Sequence, residues 1–286
     1  MSKNKSLLYQ VKGVLQGQLK IGQSRHSSKH GEGTHSPEGI FSWATYNTYL
    51  KQCTEFSEWV KNKYNCKTLD QAKQYATEYV EGRVDAGLSA WTTKLDASAL
   101  AKLYKTTSKD LGIKTPTRHR VNVKRSRGVK NHDKYFSEYN NKDLVGFGKG
   151  TGLRRRELGA VTPGDIYKSG GQVFVHVKNG KGGKVREVPV LPEYESHVLD
   201  CIKGKSPNEP IFYKIDNRMD EHSYRAEYAN AWYVQLARSI DSVPKADKYI
   251  CRNDKAGVVY EKKAMLQVSR YLGHNRIDVI AQSYLY

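Results

Sequence analysis

Residues 172–191 read QVFVHVKNGKGGKVREVPVL. Val173, Val175 and Val177 alternate with Gln172, Phe174 and His176, the period-two pattern of a half-buried strand. Asn179-Gly180 opens a glycine-rich turn that runs through Gly183, and Lys184–Leu191 is again β-prone. The stretch predicts a β-hairpin with Lys181 near its tip. Helical patterns flank it over Asn141–Gly148, Arg155–Ala160, Glu193–Ile202, Glu221–Ile240 and Met265–Leu272, the last stopped by Gly273. Both flanks of Asn253-Asp254-Lys255-Ala256-Gly257 are β-prone, so a second hairpin is expected over Tyr249–Tyr260. The second half of the chain is therefore α+β.

The first half has only helical periods. Trp43, Tyr46, Leu50, Cys53, Phe56 and Val60 recur at three and four residues. Leu69, Ala72, Ala76, Tyr79, Val80 and Val84 make a second helix stopped by Gly87, and Trp91 to Tyr104 a third that ends near Gly112. Residues 41–112 predict a small helical bundle. Residues 1–40 are polar and punctuated; with a weak helical element at Leu7–Leu15, they predict a flexible or weakly structured arm. The three histidines of QSRHSSKHGEGTHSPEG (23–39) show no metal-ligand spacing.

Between the halves, from Leu111 to His132, stands a run without one Asp or Glu. Residues 113–132 read as a basic linker, and Arg118, Arg120, Lys124, Arg125 and Arg127 are candidates for contact with phosphates. Residues 133–286 follow as the second domain. The whole chain of 286 residues carries 48 Lys and Arg against 29 Asp and Glu, a net charge of +19. Such an excess draws polyanions, nucleic acid first. No apolar run nears the ~18 residues of a membrane span, and MSKNKSLLYQVKGVLQ lacks the apolar stretch of a signal peptide. Cys53, Cys66, Cys201 and Cys251 have neither zinc nor CxxC spacing, which fits a reducing cytosol and predicts no metal site.

Four segments of the second half stand in a telling order: Thr151-Gly152-Leu153-Arg154-Arg155-Arg156-Glu157-Leu158; Gly180-Lys181-Gly182-Gly183-Lys184; His222-Ser223-Tyr224-Arg225; and Leu272-Gly273-His274 with Tyr284 ten residues on. Together they resemble the tyrosine recombinases, the phage integrase family, over roughly 140–286. Residues 42–108 look more weakly like that family's helical core-binding domain. The resemblance implies a mostly α fold with a small β component, a core-binding bundle followed by an α+β catalytic domain. It implies catalytic roles for Arg154, Glu157, Lys181, His222, Arg225, His274 and Tyr284, the last as nucleophile. Lys184 rivals Lys181 as the hairpin lysine, and Tyr286 and Tyr271 rival Tyr284.

The chemistry suits these residue types. Paired guanidiniums can clamp the nonbridging oxygens of a transferring phosphoryl group. A phenol of pKa about 10 needs a cationic pocket and a neighbouring base to attack. The 3′-phosphotyrosine product conserves bond energy, so no cofactor is expected. The resemblance also implies double-stranded DNA with a specific recombination site as partner, self-association on DNA as a synaptic tetramer, accessory DNA-bending or excision proteins, no membrane, and a cytoplasmic, nucleoid-associated place. The expected function is that of a site-specific recombinase serving a mobile element. A type IB topoisomerase, or a DNA-binding protein that keeps only the fold, is the alternative. Three features depart from the family pattern. Ala226 stands where the family often has His. Arg225 and His274 lie 49 residues apart, about twice the usual separation, with the extra length around Pro244–Tyr260, where an additional DNA or subunit contact is expected. Only two residues follow Tyr284.

Overall fold

The computed structural model describes residues 5–33, 37–119, 122 and 136–285. It divides the chain into two compact units, Met1–His119 and Arg120–Tyr286, the division lying within the basic stretch.

The first unit consists of α1 (Leu7–Gln16), α2 (Arg25–Gly31), α3 (Trp43–Tyr64), α4 (Leu69–Lys73), α5 (Ala76–Asp85) and α6 (Ala90–Leu103). Ser42 caps α3 by accepting from the Thr45 N–H, and Asn65 ends it in the left-handed region at φ 50°. Ser89 caps α6 in the same way. The second helix expected from the sequence is two: the chain turns at Gln74–Tyr75, and Tyr75 stacks flat on Tyr64 with ring centroids 3.7 Å apart. Phe56, Val60, Val80, Ala97 and Leu100 are buried at the centre of the bundle.

The expectation of a loose arm over 1–40 fails for α1. Leu7, Val11 and Leu15 fall on one face at four-residue spacing and are buried in the bundle core. Gln10 holds the helix down, donating to the Lys67 carbonyl at 2.9 Å and accepting from the Leu69 N–H at 3.1 Å. An apolar stripe of that length loses its stabilisation if left in water, and the bundle core covers it. Farther along, Ile40 exchanges backbone hydrogen bonds with Gln18 and Lys20, and the Lys102 ammonium donates to the carbonyls of Pro37 and Glu38.

The second unit begins with α7 (Lys142–Thr151) and α8 (Arg155–Leu158). An antiparallel sheet of β1 (Ile166–Ser169), β2 (Gln172–Val177) and β3 (Arg186–Pro189) follows, in that order. Val173, Val175 and Val177 face the core, as their alternation predicts. β1 is a strand the sequence reading missed. Its signal was Gly170-Gly171, a two-residue link with positive φ at both positions, which is the turn that suits a tight hairpin. β3 starts two residues later than expected because the Gly180 N–H bonds the Lys184 carbonyl and keeps Lys184 in the loop.

Then come α9 (Glu195–Asp200), α10 (Glu221–Leu236), β4 (Lys248–Ile250), β5 (Val259–Glu261), α11 (Lys262–Tyr271) and α12 (Ile277–Ser283). β4 and β5 pair antiparallel, with Tyr249 opposite Tyr260, so the extra length before the last motif is a hairpin. α10 runs through the core, burying Tyr224, Tyr228, Ala229 and Trp232. No helix among the described residues is long and apolar enough to cross a membrane.

Candidate active site

The site is assembled where three helix ends meet. α7 stops at Gly152, whose φ of 57° lies in the left-handed region. A Cβ there would also come within 2.6 Å of the Tyr228 ring, so glycine is required on two counts. The turn sends Leu153 into the core and makes Arg154 the first residue before α8. Glu157, one turn on and buried, accepts from the Arg154 N–H at 2.9 Å and from its Nη1 at 3.0 Å.

Glu157 has a second and stronger partner that the sequence reading did not name. Arg186 donates from Nη1 and Nη2 to its two oxygens at 2.9 and 2.7 Å, a bidentate pair. Burial pushes the Glu157 carboxyl up, but the hydrogen bonds and charge of Arg186, with the N–H and charge of Arg154, bring it down to about 2. The signal for Arg186 was present in the strand period. It pairs with inward-facing Val177 and is two residues from buried Val188, which puts a charged residue on the core side of the sheet. Gly180 completes the joint: a Cβ there would lie 2.7 Å from Arg186 Nη1 and 3.3 Å from Glu157 Oε1. The base of the 178–185 loop thus rests directly on this ion pair.

Arg225 comes from the second turn of α10 and is wholly buried. Its Nη1 donates to the Gly152 carbonyl, and its Nη2 to the Leu272 carbonyl at 3.1 Å. Burial lowers its pKa; the Tyr284 phenol opposes that effect and the charge of Arg154 adds to it. The Leu272 carbonyl also accepts from Arg154 Nη2 at 2.9 Å. One oxygen at the carboxyl end of α11 therefore holds both guanidiniums, and its partial negative charge offsets their repulsion.

That helix end also delivers the histidine. The Gly273 N–H bonds Arg270 O and the His274 N–H bonds Ser269 O, the paired bonds of a Schellman cap, with Gly273 at φ 73°. His274 is a helix-capping residue by its backbone and a site residue by its ring. Its Nε2 lies 3.3 Å from Arg154 Nη2 and 3.4 Å from Tyr284 Oη. A guanidinium nitrogen can only donate, so Nε2 is the acceptor and the ring proton sits on Nδ1. Burial, then Arg154, Arg225, Lys181 and Lys184, depress the His274 pKa to about 3.

Tyr284 ends α12 and is 6% exposed. Its Oη accepts from Arg225 Nη2 at 3.5 Å, at the outer limit of a hydrogen bond, and the ring lies 5.5 Å from the guanidinium carbon. Tyr284 Oη and Arg154 Nη2 both face the single lone pair of His274 Nε2, so the phenol's proton shares that acceptor with the guanidinium. The pocket holds three guanidiniums, Arg154, Arg186 and Arg225, against one carboxylate, Glu157. Its excess of fixed positive charge suits a phosphodiester whose charge grows as it reacts. Arg225 Nε is buried without a hydrogen-bond partner.

The structure thus brings together Arg154, Glu157, Arg225, His274 and Tyr284. Lys181 and Lys184 are both exposed on the 178–185 loop, and the charge of each reaches His274. His222 is exposed in the first turn of α10, one turn before Arg225. Of the rivals to Tyr284, Tyr271 turns its ring edge-on to Trp232 at 5.5 Å, and Tyr286 lies outside the described residues. Arg118 is exposed; Arg120, Lys124, Arg125 and Arg127 lie outside the described residues. Among the described residues, no group of three or more His, Cys, Asp and Glu is arranged to hold a metal ion.

No protein-family model and no curated protein matches the sequence. Solved structures do match. The XerH site-specific recombinase bound to palindromic difH substrate, in a post-cleavage complex, is 15% identical, with 98% of this chain and 92% of that one covered, at a TM-score of 0.57. A pre-cleavage complex of XerH with difH substrate gives 15% identity, 97% and 92% coverage, and a TM-score of 0.52. At such identity the likeness is one of fold, carried over nearly the full length of both chains. The chain has the fold of the XerH site-specific recombinase structures.

Proposed function

We propose that this protein is a site-specific DNA recombinase of the integrase kind, which cuts and rejoins strands by transesterification through a 3′-phosphotyrosine on Tyr284. The observation that carries the reading is the convergence of the Tyr284 phenol, the His274 ring and two guanidiniums held by one carbonyl. The substrate is double-stranded DNA with a specific recombination site, as XerH binds difH in the structures it resembles. Residues 41–112 are the helical DNA-binding domain, residues 113–132 a phosphate-contacting linker and residues 133–286 the catalytic domain. The protein self-associates on DNA as a synaptic tetramer, works with accessory DNA-bending or excision proteins, and moves a mobile element at the nucleoid.

In the reaction, Arg154 and Arg225 hold the nonbridging oxygens of the scissile phosphate. The incoming anion offsets the cations that depress the His274 pKa, so the ring becomes a better base as the substrate arrives. Tyr284 Oη attacks phosphorus and gives up its proton to the histidine side of the pocket. The bond from phosphorus to the 5′ oxygen breaks, and that oxygen takes a proton from Lys181, with His222 at the mouth to carry protons. Attack by a 5′ hydroxyl of the partner strand reverses each step and restores the phenol.

The test is a nicked suicide substrate that traps the covalent adduct. Tyr284→Phe removes the attacking atom and little packing, so the adduct should vanish while DNA binding stays near wild type. An adduct that persists would overturn the assignment and point to Tyr286. Relaxation of any supercoiled plasmid, without dependence on an inverted-repeat site, would mark a type IB topoisomerase instead.

A further inference from the structure

The hairpin of β4 and β5 is the part of the second unit that the family resemblance does not account for. Its base is anchored: Arg238, just past α10, donates from its N–H and from Nε to the Glu261 carboxylate at 2.7 Å each, and Glu261 is 2% exposed. At its tip a short 3-10 turn, Asn253–Lys255, directs the Lys255 side chain across the Tyr260 ring, 5.9 Å from the centroid. The ammonium ends on α12. It donates to the Ala281 carbonyl at 2.6 Å and to the Leu285 carbonyl.

Those two carbonyls bracket Tyr284. The Ala281 carbonyl is among the last four of α12, which lack intrahelical partners and where a cation is favoured, and the Leu285 carbonyl lies just past the helix. The carbonyl of Tyr284 itself is taken by Asn230 Nδ2 at 2.7 Å, and Asn230 stands on α10, the helix that carries Arg225. The backbone around the phenol is thus tied on one side to the arginine's helix and on the other to the inserted hairpin. α12 has only seven residues, too few to hold its end by its own hydrogen bonds.

We propose that Lys255 is a positioning residue for Tyr284: the inserted hairpin is a strap whose ammonium caps α12 and fixes the phenol in the pocket of its own chain. This assigns the insertion an internal duty in place of the extra DNA or subunit contact expected from sequence. The role as positioner rests on the recombinase reading; the cap itself does not. Lys255 never touches the phosphate. It sets how often Tyr284 Oη stands beside Arg225 when DNA fills the pocket.

The experiment uses the full chain with Lys255→Met, which keeps the stem over Tyr260 and deletes the donors, and Lys255→Arg, which restores donors. Two measurements are made. Without DNA, amide exchange over 277–285 should speed up about tenfold in Lys255→Met, the loss expected for charge-assisted hydrogen bonds at a helix end. On the suicide substrate, the single-turnover rate of adduct formation should fall about tenfold with DNA affinity and melting temperature unchanged, and Lys255→Arg should recover most of both losses. Wild-type exchange in Lys255→Met overturns the cap. Faster exchange with a wild-type adduct rate overturns the positioning role. If exchange responds but the wild-type protein forms no adduct, the cap stands and the recombinase reading is what fails.

Discussion

Glu157 pairs with two guanidiniums of the site, and Glu157→Gln tests the network around it. The carboxylate is 6% exposed and accepts from Arg154 N, Arg154 Nη1, Arg186 Nη1 and Arg186 Nη2. Glutamine keeps the size but turns an NH2 toward one of these donors and leaves the guanidiniums without their counter-charge. A carboxyl brought from an ordinary 4.5 to about 2 stabilises the fold by about 3 kcal/mol at neutral pH. Its folded pKa is depressed, so the contribution is complete above pH 4.5 and drains away as pH falls toward 2. At pH 3.5 it should still be about 2 kcal/mol. Urea unfolding reads this in the second unit if Trp43, Trp59 and Trp91 are replaced by Phe, leaving Trp232, buried in that unit's core, as reporter. The wild-type protein should exceed the variant by about 3 kcal/mol at pH 7 and by about 2 at pH 3.5. Other depressed carboxylates, such as Asp165 and Glu261, are common to both proteins and cancel in the difference. A gap that does not change with pH would refute the reasoning, because it would trace the loss to shape and not to charge.

Three further outcomes are expected. The His274 ring, labelled for NMR, should titrate near pH 3 and not near 6.5; its contribution to stability, present above 6.5, should be lost as pH falls between those values, and a midpoint near 6.5 would show the ring is not buried among the arginines. Gly152→Ala should cost about 2 kcal/mol or more in the unfolding assay, from the left-handed φ and the 2.6 Å approach to Tyr228; a neutral result would mean that this turn is not rigid. Replacing Arg118, Arg120, Lys124 and Arg125 with Ala should flatten the salt dependence of DNA binding by about 0.9 per lost phosphate contact, and an unchanged slope would make the linker a solvated spacer.

The two arginines of the clamp were legible only through the family resemblance, in the motifs Thr151-Gly152-Leu153-Arg154 and His222-Ser223-Tyr224-Arg225; no local pattern by itself sets them apart from the other arginines. The hairpin was legible from the valine alternation, and the Tyr249–Tyr260 hairpin from its turn. The α1 helix was undervalued because its stripe, Leu7, Val11 and Leu15, is short and stands in polar surroundings. Arg186 is marked in the sequence only by the facing of its strand, opposite Val177 and two residues from buried Val188, a weaker signal than the lysines of the turn.

Sequence alone determined the α-then-α+β order and the basic character, and the family resemblance named Arg154, Glu157, Lys181, His222, Arg225, His274 and Tyr284 as residues to be gathered. Only the tertiary structure decided what gathers them. The Leu272 carbonyl bridges arginines 118 and 47 residues away, Arg186 reaches back 29 residues to Glu157, and Lys255 spans 26 and 30 residues to the carbonyls around Tyr284. The physical reason is that, Glu157 apart, the acceptors are main-chain carbonyls, which every residue carries and no side-chain pattern marks. They become distinctive only when folding leaves them at a helix end, unpaired and facing a buried cation.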